Sequence, residues 1–86
     1  MLHLFCGSCS DGETRIDINP NSAANWIGDF RTWQQDRWYA SAFADPPYTQ
    51  EFADAWGTKC PKPSEILKIM RDAVLPGGVV GILHLQ

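Results

Sequence analysis

Ala40-Ser41-Ala42-Phe43-Ala44-Asp45-Pro46-Pro47-Tyr48 is the stretch on which the reading of this chain turns. The apolar run Ala40 to Ala44 predicts a buried strand, and after it come an acid, two prolines and an aromatic ring. The carboxyl end of a strand is where open α/β sheets bind ligands. Two prolines remove two backbone donors and fix the chain direction, so the Asp45 carboxylate and the nearby carbonyls form an acceptor cluster beside an aromatic face. Such a pocket suits a flat molecule that carries an amino group. The exocyclic amine of a base could donate to Asp45 and to the Pro46 carbonyl while Tyr48 stacks on the ring. The plainer alternative is a Pro-Pro turn that ends a strand, with Asp45 capping local amides.

Outward from this stretch, the apolar periodicity alternates between strand and helix. Leu2 to Phe5 predicts a first strand and Thr14 to Ile18 a second, with the loop Cys6-Gly7-Ser8-Cys9-Ser10-Asp11-Gly12-Glu13 between them. Asn19-Pro20-Asn21-Ser22 is a turn that could start a brief helical stretch through Ala23, Ala24 and Trp26. Trp26 to Phe30 is a candidate third strand, and Arg31 to Trp38 a polar and aromatic connector. After Tyr48, Thr49 caps a short helix with Phe52, Ala55 and Trp56 on one face, ended by Gly57. Ile66, Leu67, Ile69, Met70, Ala73 and Val74 form the stripe of a clear helix, opened by Pro63 and Ser64 and closed by Pro76-Gly77-Gly78. Val79 to Leu85 reads as a continuous apolar strand buried on both faces. Strands alternating with helices predict an α/β fold: a Rossmann-like, mostly parallel sheet of four to five strands in one domain spanning residues 1–86.

Composition bounds the function. The chain has 86 residues, 44% of them hydrophobic and 12% aromatic, which is the balance of a small globular domain. No apolar stretch is long enough for a membrane span and no secretory signal is present, so the expected compartment is the cytoplasm. A net charge of −3 supplies no broad basic surface, which argues against tight independent binding to duplex nucleic acid. Three cysteines and no leader predict free thiols.

A glycine-bearing turn after strand one and an acid ending strand two are how Rossmann-like folds hold a nucleoside. Gly7 lets backbone approach the ligand, and Asp17 can accept both ribose hydroxyls. Together with Ala44 to Tyr48, these segments carry a family resemblance. Leu2-His3-Leu4-Phe5-Cys6-Gly7-Ser8 resembles the first cofactor motif of class I S-adenosylmethionine-dependent methyltransferases, and Asp17-Ile18-Asn19-Pro20 their second. Gly28-Asp29-Phe30 sits where that family places an acidic residue near the cofactor's adenine. Asp45-Pro46-Pro47-Tyr48 is similar to the catalytic motif of those that methylate adenine or cytosine amines. Trp56-Gly57-Thr58 and Pro61-Lys62-Pro63 look like a pocket rim, and Leu75-Pro76-Gly77-Gly78 precedes the fifth strand as in those enzymes. The chain is similar to small methyltransferases assigned to phages and actinobacteria.

The resemblance implies S-adenosyl-L-methionine held by Phe5, Gly7, Ser8, Asp17, Ile18, Asp29 and Phe30. It implies a catalytic group of Asp45, Pro46, Pro47 and Tyr48, and methyl transfer to a nucleobase amine, adenine in DNA first, with RNA or a nucleotide as the other acceptors. Two departures shape the expectation. Cys6 to Glu13 is too short for the helix that the family places between strands one and two, which would leave one sheet face open near the cofactor. The family fold also continues past the fifth strand into a helix and an antiparallel pair, whereas this sequence ends at Gln86, so a minimal or truncated form is expected. A partner subunit or a second copy would then cover the last strand. The alternative function is a module that binds the cofactor without turnover.

Competing constellations are weaker. Cys6-Gly7-Ser8-Cys9 is a C-x-x-C, but Ser10-Asp11-Gly12 is a poor helix start for a redox motif. A zinc site from Cys6, Cys9, Cys60 and a histidine lacks a second paired motif. His3 and His84 read as structural, Trp33 and Trp38 could stack a base, and Lys59, Lys62, Lys68 and Arg71 read as a solvated face.

Overall fold

The computed structural model describes residues 1–46, Asp54, Ala55, Gly57 and residues 61–83. Its frame is a five-stranded sheet built from β1 (Leu2–Leu4), β2 (Thr14–Asp17), β3 (Trp26–Ile27), β4 (Tyr39–Ala44) and β5 (Val74–Ile82). The strand order is β3-β2-β1-β4-β5 and every pairing is parallel. The chain therefore winds from β1 outward through β2 to β3, then returns to the other side of β1 with β4 and continues to β5. The order reverses between β1 and β4, the position at which doubly wound sheets form a ligand crevice.

Register sets which side chains share a face. Leu4 is level with both Ile16 and Ala44, so Leu2, Leu4, Ile16, Ala42 and Ala44 lie on one face of the sheet. Helix α1 (Pro63–Ala73) covers that face with Ile66, Met70 and Ala73. The helix starts on Pro63, whose missing N–H would have had no helical partner, and Glu65 accepts from the Lys62 amide at 3.2 Å. Ile66 and Met70 are fully buried; truncating residues of this size costs about 2–5 kcal/mol, so these two are what hold α1 to the sheet. Leu67, at the margin of the expected stripe, is exposed.

Three expectations change. First, Trp26 to Phe30 is not one strand: β3 stops at Ile27, and Phe30–Thr32 forms a 3-10 turn capped by Asp29, whose carboxylate accepts from the Arg31 amide. The stretch from Ala23 to Trp26 is not helical either. A turn from Asn19 to Ser22 leads the chain straight into β3. Second, Pro76-Gly77-Gly78 does not terminate the helix. It ends at Ala73, and Val74 is already paired with Tyr39; Leu75 to Gly78 form an irregularity inside β5 before pairing resumes at Ser41 and Val79. Third, β5 is not buried on both faces: it lies at the sheet edge, with Val79 70% exposed. The expected Thr49-capped helix lies outside the described residues except for Asp54, Ala55 and Gly57; there, the Gly57 amide donates to the Asp54 carbonyl and Gly57 has φ 69°.

The second face of the sheet carries His3 and Phe43, level with each other and in edge-to-face contact at 5.5 Å between ring centroids. His3 is nevertheless only 5% exposed. The short connection after β1 is the reason: the His3 ring faces the Asp11 carbonyl at 3.3 Å, and Gly12 packs so closely that a Cβ there would lie 2.9 Å from the Met1 carbonyl. The face near β1 is thus covered by the loop itself, without a helix. No helix among the described residues is long and apolar enough to cross a membrane.

Candidate functional site

The chain leaves β1 through two residues in the left-handed region, Phe5 (φ 59°) and Gly7 (φ 56°). Such a φ is uncommon for a bulky residue and marks a conformation that its surroundings impose. Two contacts impose it on Phe5. Its amide donates to the Ile16 carbonyl at 2.7 Å, and its ring packs edge-to-face on Phe30 at 5.0 Å. At Gly7 the turn is open to solvent, and a Cβ built there would meet nothing within 4 Å. Backbone can be approached closely at this point.

β2 ends level with this turn. The Gly7 amide donates to Asp17 Oδ2 at 2.8 Å, and the Asn19 amide donates to Asp17 Oδ1 at 2.9 Å. Each carboxylate oxygen so keeps lone-pair capacity for a further donor. Ser8 is exposed and Ile18 half-buried beside this pair. Asp29 emerges from the end of β3 at the same edge, where the Gly28 amide donates to the Asp17 carbonyl. Its carboxylate is committed to the Arg31 amide and guanidinium, and Arg31 in turn reaches Glu65 on α1 at 2.8 Å. The guanidinium pair holds the Glu65 carboxyl below its ordinary range. Phe30, read from the sequence as a cofactor contact, is 4% exposed and belongs to the core, with Arg31 stacked 4.8 Å from its ring centroid.

Across β1, Asp45 is exposed at the end of β4, tied to the sheet by its amide, which donates to the Leu4 carbonyl at 3.2 Å. Pro46 is buried. Asp17 and Asp45 are therefore two strand spacings apart, about 10 Å, on the same edge of the sheet. That edge brings together Gly7, Ser8, Asp17, Ile18, Asp29, Asp45 and Pro46. Pro47 and Tyr48 lie outside the described residues, as do Trp56 and Thr58 of the expected rim; Lys62 and Pro63 are exposed and Pro61 is buried.

Trp33 and Trp38 are not near Asp45. They precede β4 and stand at its opposite end, about 20 Å away along a six-residue strand, with Trp33 packed on Tyr39 and Trp38 61% exposed. Tyr39 itself is buried there, its hydroxyl shared with Thr14 and Asp36.

The two cysteines of the loop are free thiols in a turn, with the Cys9 amide donating to the Cys6 carbonyl at 2.9 Å. Burial, and then the Asp17 carboxylate, push the Cys6 thiol up from its ordinary value. This is the opposite of what a dithiol redox motif needs. Cys60 lies outside the described residues.

Sequence reasoning missed Arg15. It occupies the middle of β2, and its side chain donates to the Gly12 carbonyl from Nη1 and to the Ala23 carbonyl from Nε, both at 2.8 Å. A long cation inside a short strand that comes after a helix-free connection was the available signal. Comparison with models of protein families, with curated proteins and with solved structures finds no match to this chain.

Proposed function

We propose that this chain carries a class I methyltransferase domain that uses S-adenosyl-L-methionine to methylate the exocyclic amine of a nucleobase, adenine in DNA first. The observation that carries the reading is the common edge: the Gly7 and Asp17 pair at the ends of β1 and β2, and Asp45-Pro46 at the end of β4, flank the point where the strand order reverses. The all-parallel order β3-β2-β1-β4-β5 supports this reading, because Rossmann-like sheets run 3-2-1-4-5. The residues fit the cofactor's nucleoside: Asp17 keeps an acceptor site on each oxygen, and open space stands over Gly7.

When bound, the cofactor supplies an activated methyl group on a sulfonium. The chain's own contribution is placement. Asp45 and the Pro46 carbonyl accept from the substrate amine, direct its lone pair and localise charge on nitrogen as the bond forms, while Tyr48 stacks on the base. A base in a duplex would have to leave the stack first; one in a single strand, RNA loop or nucleotide would not.

The alternative reading, a cofactor-binding module without turnover, uses the same Gly7 and Asp17 edge, and the internal commitment of Asp29 to Arg31 and of Phe30 to the core bears on both readings alike. A second copy or partner subunit along β5 remains part of both readings, since Val79 is 70% exposed at the sheet edge; light scattering of wild type against Val79→Lys tests the second copy, and an unchanged monomer in both rejects self-association.

The deciding experiment is transfer of labelled methyl groups to DNA, RNA and nucleotide acceptors by wild type and Asp45→Asn. The variant should lose on the order of a hundredfold in rate with cofactor binding retained. Equal transfer by both would reject the role of Asp45, and cofactor binding without any transfer would favour the non-catalytic module.

A further inference from the structure

In a doubly wound sheet the glycine turn after the first strand is held by the helix behind it. Here residues 5–13 contain no helix, yet Phe5 keeps a demanding left-handed conformation, followed by a left-handed Gly7, at the mouth of the candidate site. The Ile16 carbonyl and the Phe30 ring hold Phe5, and the Gly7 side of the turn needs a support of its own. A continuous chain of hydrogen bonds runs through it: Arg15 Nη1 to the Gly12 carbonyl, Arg15 Nε to the Ala23 carbonyl, the Ala23 amide to the Gly7 carbonyl, and the Gly7 amide to Asp17 Oδ2, each at 2.8 Å. Asn25 adds two more, from its Nδ2 to the Glu13 carbonyl and from the Arg15 amide to its Oδ1.

We propose that Arg15 is the positioning residue of this site: its guanidinium takes the part of the missing helix by clamping the loops after β1 and β2 to each other, and so holds the Gly7 amide and the Asp17 carboxylate where a nucleoside would be received. The planar fork matters more than the charge, because it meets two carbonyls from different loops at once. An ammonium at this position keeps the charge but not the two fixed directions. The assignment of the ligand rests on the function proposed above; the clamp itself does not.

The test is amide hydrogen exchange, followed residue by residue, together with calorimetric titration of S-adenosylhomocysteine, on wild type, Arg15→Lys and Arg15→Met. In Arg15→Lys the Gly7 and Ala23 amides should exchange about tenfold faster or more, while Asp45 and Ile66 amides, bonded to Leu4 and Lys62, stay unchanged. Ligand affinity should fall about tenfold, and Tm by several degrees, since two charge-assisted bonds are weakened. Uniform acceleration of all four amides, or none, would overturn the clamp, and Arg15→Lys decides this even where Arg15→Met fails to fold. Selective acceleration at Gly7 and Ala23 with wild-type affinity would overturn its link to the ligand. Selective acceleration in Arg15→Lys, with a wild type that binds no S-adenosylhomocysteine, would uphold the clamp and reject the nucleoside reading.

Discussion

The Gly7 amide and Asp17 Oδ2, ten residues apart in sequence, meet at 2.8 Å across the ends of β1 and β2. Because the Asn19 amide occupies the other oxygen, one carboxylate ties together the exits of two strands. A side chain that organises backbone on both sides acts on fold and site together.

Asp17→Asn separates these roles. The amide side chain can accept one of the two backbone N–H groups but turns a donor toward the other. Stability should fall by about 1–2 kcal/mol, read as a lower urea midpoint at unchanged slope. An unaltered midpoint would mean that the bonds to Gly7 and Asn19 are not maintained in solution.

Glu65 gives a pH dependence of known sign. Arg31, and then the Lys62 amide, lower its pKa from 4.5. A carboxyl with a depressed folded pKa contributes stability that is present above its unfolded value and lost as pH falls through the folded one. With 37% of its side chain exposed, the effect is screened to at most about 1 kcal/mol. Glu65→Gln should flatten the stability profile below about pH 4.5, and a profile identical to wild type there would count against the pair.

The irregularity inside β5 makes two adjacent glycines unequal. At Gly78 an added Cβ would lie 2.2 Å from the Val74 side chain and 2.6 Å from the Ala40 carbonyl, with no room to yield against backbone. Gly77 has open space around it but φ 82°. Gly77→Ala should cost about 1–2 kcal/mol through backbone strain alone, and Gly78→Ala more, about 3 kcal/mol, through overpacking. Denaturation of both variants checks the ranking; the reverse order would refute the bulge.

Thiol reactivity should follow burial. Cys6 is 5% exposed and its thiol is pushed up by burial and Asp17, whereas Cys9 is half-exposed. Alkylation mapped by mass spectrometry should modify Cys9 well before Cys6, since the thiolate is the nucleophile. Faster labelling of Cys6 would contradict the loop geometry.

Legibility in the sequence tracked the strength of local pattern. β1, β2, β4 and α1 announced themselves through apolar runs and a helical stripe bounded by Pro63, and the parallel frame followed from their alternation. The junction at Val74 did not, because Pro76-Gly77-Gly78 is the usual signature of a helix end. Its actual cause is steric: β5 approaches β4 too closely for a side chain at position 78. Phe30 looked available for a ligand because burial by Phe5 and Arg31 is a tertiary fact. Arg15 was overlooked for the same reason, since its partners Gly12 and Ala23 lie in two different loops. Gly7, Asp17 and Asp45 could be placed on one edge of the sheet because strand ends are predictable once strands are.

Calorimetric titration of S-adenosylhomocysteine into the folded wild-type protein and into Asp17→Ala tests the central claim most directly. The account predicts saturable binding to one site per chain, a Tm that rises with ligand by mass action, and loss of most of both in Asp17→Ala. No binding heat and no thermal shift at millimolar ligand, in a wild-type protein shown to be folded, would contradict it.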